Sequence, residues 1–364
     1  MKLGYFTMPL HPKERDYAAT LREDRETILL AETLGYVEAF VGEHVTDACE
    51  TITSCLIFIA SLAATTSRIR LGSATVNLPN AHPAAVASQV AMVDTMLAGR
   101  FLFGISQGGL LSDAEMFGNL DNDRVAMFVE AIDHIIALWT EAPPYKRAGN
   151  YWTLGTERTL VRENGQGVMV RPFQKPHPPI LVTVTAPFSK GAVTAAARGW
   201  DPISANFLQP NWVASHWPMY RQGCESAGRK AEAANWRVAK SIFVADDEAT
   251  AKRYAKSAGG PYGYYFNNLF RKISSSGRAE LFKRDRAMPD AAVTLDYILD
   301  TLVIAGTVDS VVEQILAFRE TTGAFGTLLY AGHDWADPAL ARRSMELTAT
   351  RVMPVVNRVI GERD

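Results

Sequence analysis

The sequence predicts one α/β domain over residues 1–364, a (β/α)8 TIM barrel with insertions after the fourth and seventh strands. Three observations predict it. Short apolar runs alternate with helical patterns eight times along the chain. The 364 residues exceed an ordinary domain, yet barrels of this kind run past about 250 residues, with the excess in loops. No GxGxxG follows the first strand, which removes the usual dinucleotide site of an open doubly wound sheet.

The elements follow in order. Leu3–Phe6 is the first strand, and a charged helix from about Arg15 turns Leu21, Ile28 and Leu29 inward before stopping at Gly35, a left-handed cap. Val37–Val41 is the second strand and residues 51–64 its helix. Ile69–Val76 is the third strand. The next helix spaces Val86, Val90, Val93 and Leu97 at near-helical intervals, closes at Gly99 and leads into the fourth strand, Phe101–Ile105. One long amphipathic helix is expected over residues 113–141, ended by Pro143 and Pro144. Residues 145–178, rich in proline, glycine and charge, read as an excursion from the barrel. Pro179–Val184 is the fifth strand, with a helix over residues 189–198. Trp200–Ser204 and Arg237–Val244 are the sixth and seventh, and a second excursion, polar and aromatic, covers residues 259–289. Gly326–Tyr330 is the eighth strand, and Asp337-Pro338 supplies an N-cap with proline at N1 for the closing helix.

Composition limits the function classes. Hydrophobic residues at 48% against 21% charged give ample apolar area to bury, which excludes disorder for the bulk. A formal net charge of -2 gives no field that favours nucleic acid or an anionic membrane surface. Cys49, Cys55 and Cys224 form no CxxC pair and leave an odd count, so no disulfide framework or cysteine zinc site is indicated. The N-terminal run lacks the apolar segment of a signal peptide, no stretch reaches about 18 apolar residues, and the expected location is the cytoplasm.

In such barrels chemistry sits where strands end. The second strand ends in Gly42-Glu43-His44, an acid beside the side chain best suited to proton transfer near neutral pH; without that role His44 is an ordinary loop histidine, and Glu43 orients it or pairs with a neighbouring strand. The fourth leads to Ser106-Gln107-Gly108-Gly109, where paired glycines let backbone approach a ligand. The fifth leads to Thr185-Ala186-Pro187-Phe188-Ser189-Lys190, a helix start whose amides can cradle a phosphate while Ser189 caps the helix. The eighth leads to His333-Asp334-Trp335, which touches substrate or merely caps the last helix. Asp94 and Arg100 read as a fold-stabilising pair, and His82-Pro83 as a plain helix start. HExxH and paired metal-ligand spacing are missing from the sequence, which speaks against zinc hydrolysis, and no metal ligand set is indicated.

These residues resemble a family. RIRLGSATVNLPNAHPAAVASQVAMVDTMLAGRFLFGISQGG is similar to the third and fourth β-α units of the bacterial luciferase α subunit, including LP-x-AHP and the D-x5-R before FxFGI. EAFVGEHVTD resembles the luciferase-like segment ending in Glu-His-His, with Val45 in place of the second histidine. GNYWTL, VRPFQKPHPPILV and VIAGTVDSVVEQILAFRETTGAFGTLL extend the resemblance over nearly the whole chain, and GPYGYYF with AGHDW looks most like the diketocamphane monooxygenases within it.

The resemblance implies a two-component monooxygenase. Reduced FMN, made by a separate NAD(P)H:flavin reductase, reacts with oxygen to a C4a-peroxyflavin that oxygenates a small apolar, cyclic or terpenoid substrate, while the protein binds flavin and shields it from water. It also implies a homodimer through the helices after strands two and three. His44 matches the family's catalytic histidine. Ala74 and Thr75 match the site where a non-proline cis peptide approaches the flavin, and Thr185, Ala186 and Ser189 fall in the phosphate-binding region. Gln107 stands where luciferase has a phosphate-binding arginine, and Ser106 where it has a reactive cysteine. His333 and Trp335 are the candidate substrate contacts. A deazaflavin-dependent oxidoreductase and a non-catalytic flavin-binding protein are the rivals on the same fold.

Overall fold

The computed structural model describes residues 1–8 and 10–361. Strands are β1 (Lys2–Thr7), β2 (Glu38–Val41), β3 (Arg70–Ser73), β4 (Val76–Asn77), β5 (Phe101–Ser106), β6 (Lys146–Ala148), β7 (Thr153–Gly155), β8 (Ile180–Val184), β9 (Asp201–Ser204), β10 (Arg237–Val244), β11 (Val303–Gly306) and β12 (Thr327–Ala331). Helices are α1 (Tyr17–Thr33), α2 (Cys55–Leu62), α3 (Pro83–Met96), α4 (Leu111–Met116), α5 (Arg124–Thr140), α6 (Lys190–Ala197), α7 (Pro210–Ala214), α8 (His216–Ser226), α9 (Glu248–Ala255), α10 (Pro261–Ser275), α11 (Leu295–Leu302), α12 (Val308–Thr322), α13 (Pro338–Leu347) and α14 (Met353–Val359). The eight expected strands correspond to β1, β2, β3, β5, β8, β9, β10 and β12.

The chain forms two compact units. The first comprises Met1–Phe40, Cys49–Thr51 and Val182–Asp364, the second Val41–Ala48 and Ile52–Leu181. In the first, β12 lies between β1 and β10 in parallel register, Leu3 opposite Leu328 and Val238 opposite the same residue. β10 also pairs β9 through Arg237 and Val238, and β11 through Ser241–Val244. All eight residues of β10 are buried, the mark of a parallel strand covered on both faces. Arg237 forms a two-pronged pair with Glu38 at 2.6 and 3.0 Å, so neither buried charge is left alone.

In the second unit β3 and β4 both pair β5. A Cβ at Gly104 would stand 1.9 Å from Ser73 O, so the close approach of β3 and β5 requires glycine there. Ser73 Oγ fills the gap, donating to Gly104 O at 2.8 Å and accepting from its amide at 2.9 Å. Outside this sheet Trp139 of α5 packs edge-on to Phe103 and donates to Ala87 O of α3 at 3.0 Å.

Four expectations change. The long helix over residues 113–141 is two: Gly118 takes φ +71 after α4, and Asp123 caps α5 by accepting from Val125 and Ala126 amides. The third strand breaks into β3 and β4. The second excursion is largely helical, because proline opens α10 and Tyr262, Tyr265, Phe266 and Ile273 bury a common face. β11 was not foreseen. Gly35 at φ +83 and Gly99 at φ +82 end their helices as expected. Asp94 accepts from Gln174, and Arg100 donates to Thr66 O and Ile69 O, so both serve the fold.

Candidate active site

At the end of β2, Glu43 is a brace. Its carboxylate accepts from the Cys55 amide at 3.0 Å and the Asn77 amide at 3.1 Å, tying the start of α2 to β4. Burial pushes its carboxyl above the ordinary range, against the pull of those donors. His44 is held differently. Its amide donates to Ile52 O at 3.2 Å, and Nδ1 lies 3.1 Å from Asp113 Oδ2, in the first turn of α4. Asp113 also accepts from the amides of Val45 and Thr46 and, at 2.6 Å, from the Thr46 hydroxyl. Burial raises the Asp113 carboxyl, but the hydrogen bonds from His44 and Thr46 outweigh it and hold it at about 2. An ionised carboxylate on Nδ1 fixes the orientation of the ring. Sequence reading took Asp113 only as a helix start; an acid opening the helix after the fourth strand was the available signal.

Ala74 and Thr75 lie beyond β3, both buried, with the Ala74 amide on Val41 O at 2.7 Å and Thr75 O accepting the Cys55 thiol. The expected cis peptide between them is corrected: among the described residues the cis bonds are Pro143-Pro144 and Lys175-Pro176. The chain there runs on in the trans form from β3 to β4. After β5, Ser106 Oγ accepts from the Gly108 amide at 2.9 Å, and Gly108 takes φ +82. Gln107 is exposed, and nothing crowds the position of a Cβ at Gly109. Arg124, which sequence reading passed over, places its guanidinium 3.1 Å from Gly108 O and so brings a positive charge to the strand end that Gln107 does not supply.

After β8, Phe188 adopts φ +50, a left-handed conformation uncommon for a residue with a Cβ, and its amide is held by Ser215 Oγ at 2.9 Å. Ser189 caps α6, accepting from the Ala192 amide. The turn is anchored by His216, unforeseen from sequence: Nε2 donates to Ala186 O at 3.0 Å, and Nδ1 accepts from Ser204 Oγ at 2.8 Å. Burial lowers this imidazole to about 4, so it is neutral near pH 7.

After β12, His333 is sealed among aromatics, with Tyr262 and Tyr265 at 4.1 and 4.4 Å, and Nε2 meets Ser241 Oγ at 3.0 Å. Burial lowers its pKa to about 3 against the small opposite effect of Asp334. Trp335 is buried under the Arg342 guanidinium at 4.7 Å, and its amide donates to Glu23. Between them Asp334 belongs to an ion network. His11 bridges Asp334 at 2.6 Å and Asp24 at 3.2 Å, and Arg15 joins Asp334 to Glu23. Burial opposes the charge on His11, yet its hydrogen bonds to Asp24 and Asp334 raise it to about 9. His11, Glu23 and Asp334 could group around a metal by distance alone, but two cations already face these carboxylates.

Residues 1–324 match the luciferase-like monooxygenase family. The chain belongs to that family. It is an enzyme of the monooxygenase type, and two curated relatives fit: a 4-hydroxyprotoasukamycin monooxygenase of Streptomyces nodosus subsp. asukaensis, 31% identical over 98% of this chain and 92% of its own length, and the limonene 1,2-monooxygenase of Rhodococcus erythropolis, 29% identical over 99% and 88%. A solved structure, the oxygenating constituent of 3,6-diketocamphane monooxygenase from the CAM plasmid of Pseudomonas putida in complex with FMN, a type II Baeyer–Villiger monooxygenase, is similar at 27% identity and a TM-score of 0.87, covering 97% of this chain and 98% of that one. The fold of this luciferase-like chain is thus the (β/α)8 barrel. No described helix is long and apolar enough to cross a membrane.

Proposed function

We propose that this chain is the oxygenating component of a two-component flavin monooxygenase, acting on a small apolar substrate of cyclic or terpenoid type. The observation that carries the reading is the His44–Asp113 pair, an oriented imidazole at a strand end of a luciferase-like barrel. Reduced FMN, delivered by a separate flavin reductase, supplies the two electrons that activate oxygen. The residues present fit such a group. The Phe188 turn leads into the N-terminus of α6, where Ser189, Thr185 and Ala186 would hold a phosphate. Taken within the second unit alone, Ala74, Thr75 and Gln107 are candidates for flavin contact by family resemblance, with Gly109 open and Arg124 bringing a positive charge to Gly108 O.

The chain's own part is to bind, to exclude water and to move one proton. His44 Nε2 is the acid or base, and Asp113 keeps the ring in the competent tautomer. A homodimer through α2 and α3 is supported by three apolar side chains left exposed on those helices, Ile57 at 76%, Met92 at 58% and Met96 at 48%.

The protein given only NADH and substrate is expected to be silent, because no dinucleotide fingerprint is present. Adding a flavin reductase and FMN restores turnover. Substrate-dependent NADH oxidation without a reductase overturns the two-component reading.

A further inference from the structure

Ser215 and His216 join α7 to α8 and grip the turn after β8 at two points. The Phe188 amide donates to Ser215 Oγ at 2.9 Å, and that hydroxyl gives its own proton to Trp212 O at 2.6 Å. His216 Nε2 meets Ala186 O at 3.0 Å, and Nδ1 meets Ser204 Oγ at 2.8 Å. A carbonyl only accepts, so the neutral ring carries its proton on Nε2 and leaves Nδ1 bare for the Ser204 hydroxyl. Trp236 Nε1 starts the chain by donating to Ser204 Oγ at 2.8 Å. Every donor from Trp236 to Ala186 O thus points one way. Trp236, Ser204 and His216 are all fully buried, so the ring has no second tautomer that would not leave a buried group unpaired.

The turn does not select its own shape. Phe188 is 54% exposed and takes φ +50, a backbone conformation disfavoured for a residue with a Cβ, while its ring meets Trp212 edge-on at 6.3 Å. The bonds at Ala186 O and at the Phe188 amide are what hold it there. Two residues on, α6 begins, with first amides that an α-helix leaves without internal partners and with Lys190 at its first position.

We propose that Ser215 and His216 are positioning residues that set the preference of this chain for a phosphorylated flavin over an unphosphorylated one. Both are buried with their polar atoms engaged, and they act through the 185–189 turn, holding it and the start of α6 in the phosphate-binding form before the cofactor arrives. Such preorganisation raises affinity by removing the cost of ordering the turn at binding. A flavin without a phosphate draws nothing from it. The inference rests on the flavin monooxygenase reading and adds the pair that confers selectivity for FMN.

The test compares reduced FMN with reduced riboflavin, each bound anaerobically to the full chain and measured by equilibrium dialysis. His216→Phe and Ser215→Ala should each weaken FMN about tenfold, the size of one buried hydrogen bond, and leave riboflavin within about twofold. His216→Gln, whose amide can still donate to Ala186 O, should recover most of the FMN affinity. Tyr220→Phe is the structural control: it removes another α8 bond, from Tyr220 OH to Asp201 at 2.9 Å, and should lower the melting temperature without changing the ratio of the two affinities. Where the Ser215 and His216 variants do not fold, ring-15N-labelled histidine in the wild type decides. His216 should show the Nε2–H tautomer before FMN is added and keep it afterwards. Equal weakening of FMN and riboflavin, or a tautomer that appears only with FMN, overturns this inference and leaves the monooxygenase reading standing. Wild type that binds neither flavin and turns over only with a deazaflavin overturns that reading, and the inference falls with it.

Discussion

Two histidines stand just past strand ends, His44 after β2 and His333 after β12, and they meet opposite surroundings. His44 is partly open, with an ionised carboxylate on Nδ1. His333 is sealed by tyrosines, held neutral, and partnered by a hydroxyl. A carboxylate partner suits a ring that must gain and lose a proton, whereas a hydroxyl partner in an apolar shell suits one that must never do so. The same residue type past two strand ends is thus paired with a carboxylate in one and with a hydroxyl in the other.

The largest expected effect tests the open end. His44→Ala should cut product formation by about two to four orders of magnitude, the usual size of a lost acid–base contribution. Oxygen uptake should persist and appear as hydrogen peroxide, measured beside product by chromatography. Near-normal coupling in this variant would make His44 a bystander and erase the contrast.

The sealed surroundings of β10 can be probed through Lys240. Its ammonium group is buried without a hydrogen-bond partner among the described residues, 5.0 Å over the Phe318 ring, and burial, with Lys256 adding repulsion, lowers it to about 7. The unfolded chain titrates this amine near 10.5, so at neutral pH the unfolded state binds the proton more readily and folding is penalised by on the order of 3–5 kcal/mol. Lys240→Met should raise the urea midpoint at pH 7. The gain should be full below pH 7 and shrink toward nothing as pH climbs to 10.5; a gain independent of pH would show that the amine is not sealed.

Asp113→Asn is expected to lower kcat by about 10- to 100-fold with little change in KM, the loss typical when a carboxylate orienting an imidazole is removed. Steady-state kinetics with a reductase in excess measures it. A KM effect alone would turn Asp113 into a binding residue.

The smallest effect distinguishes two adjacent glycines. Gly108→Ala must adopt φ +82 and should cost about 1–2 kcal/mol by thermal denaturation, whereas Gly109→Ala meets no neighbouring atom and should leave the melting temperature unchanged. If Gly109→Ala weakens FMN binding without changing stability, that open position faces the flavin.

The barrel was legible because its strands are continuous apolar runs and its helices stop at glycines that need positive φ, both local properties. What depended on distant partners was hidden. Asp113 looked like a helix start because His44 lies 69 positions away in sequence. His216 opens a helix 12 residues past the end of β9, and its role appears only when Ala186 O and Ser204 meet it in the fold. The helix in the second excursion was not legible because its aromatics gain their helical face only by burying it. Gln107 brings no charge to its strand end, and the Arg124 guanidinium beside Gly108 O is seen only in three dimensions. His44 and His333 were both singled out by strand position, but nothing in the sequence told their environments apart.

The central claim is oxygen transfer, and the direct measurement is turnover in 18O2 with a flavin reductase, FMN and a bicyclic ketone, followed by mass spectrometry of the product. One 18O atom should enter each product molecule, and in His44→Ala the label should leave in hydrogen peroxide instead. Product formed without label, or substrate oxidised by a deazaflavin with no oxygen consumed, would contradict the account.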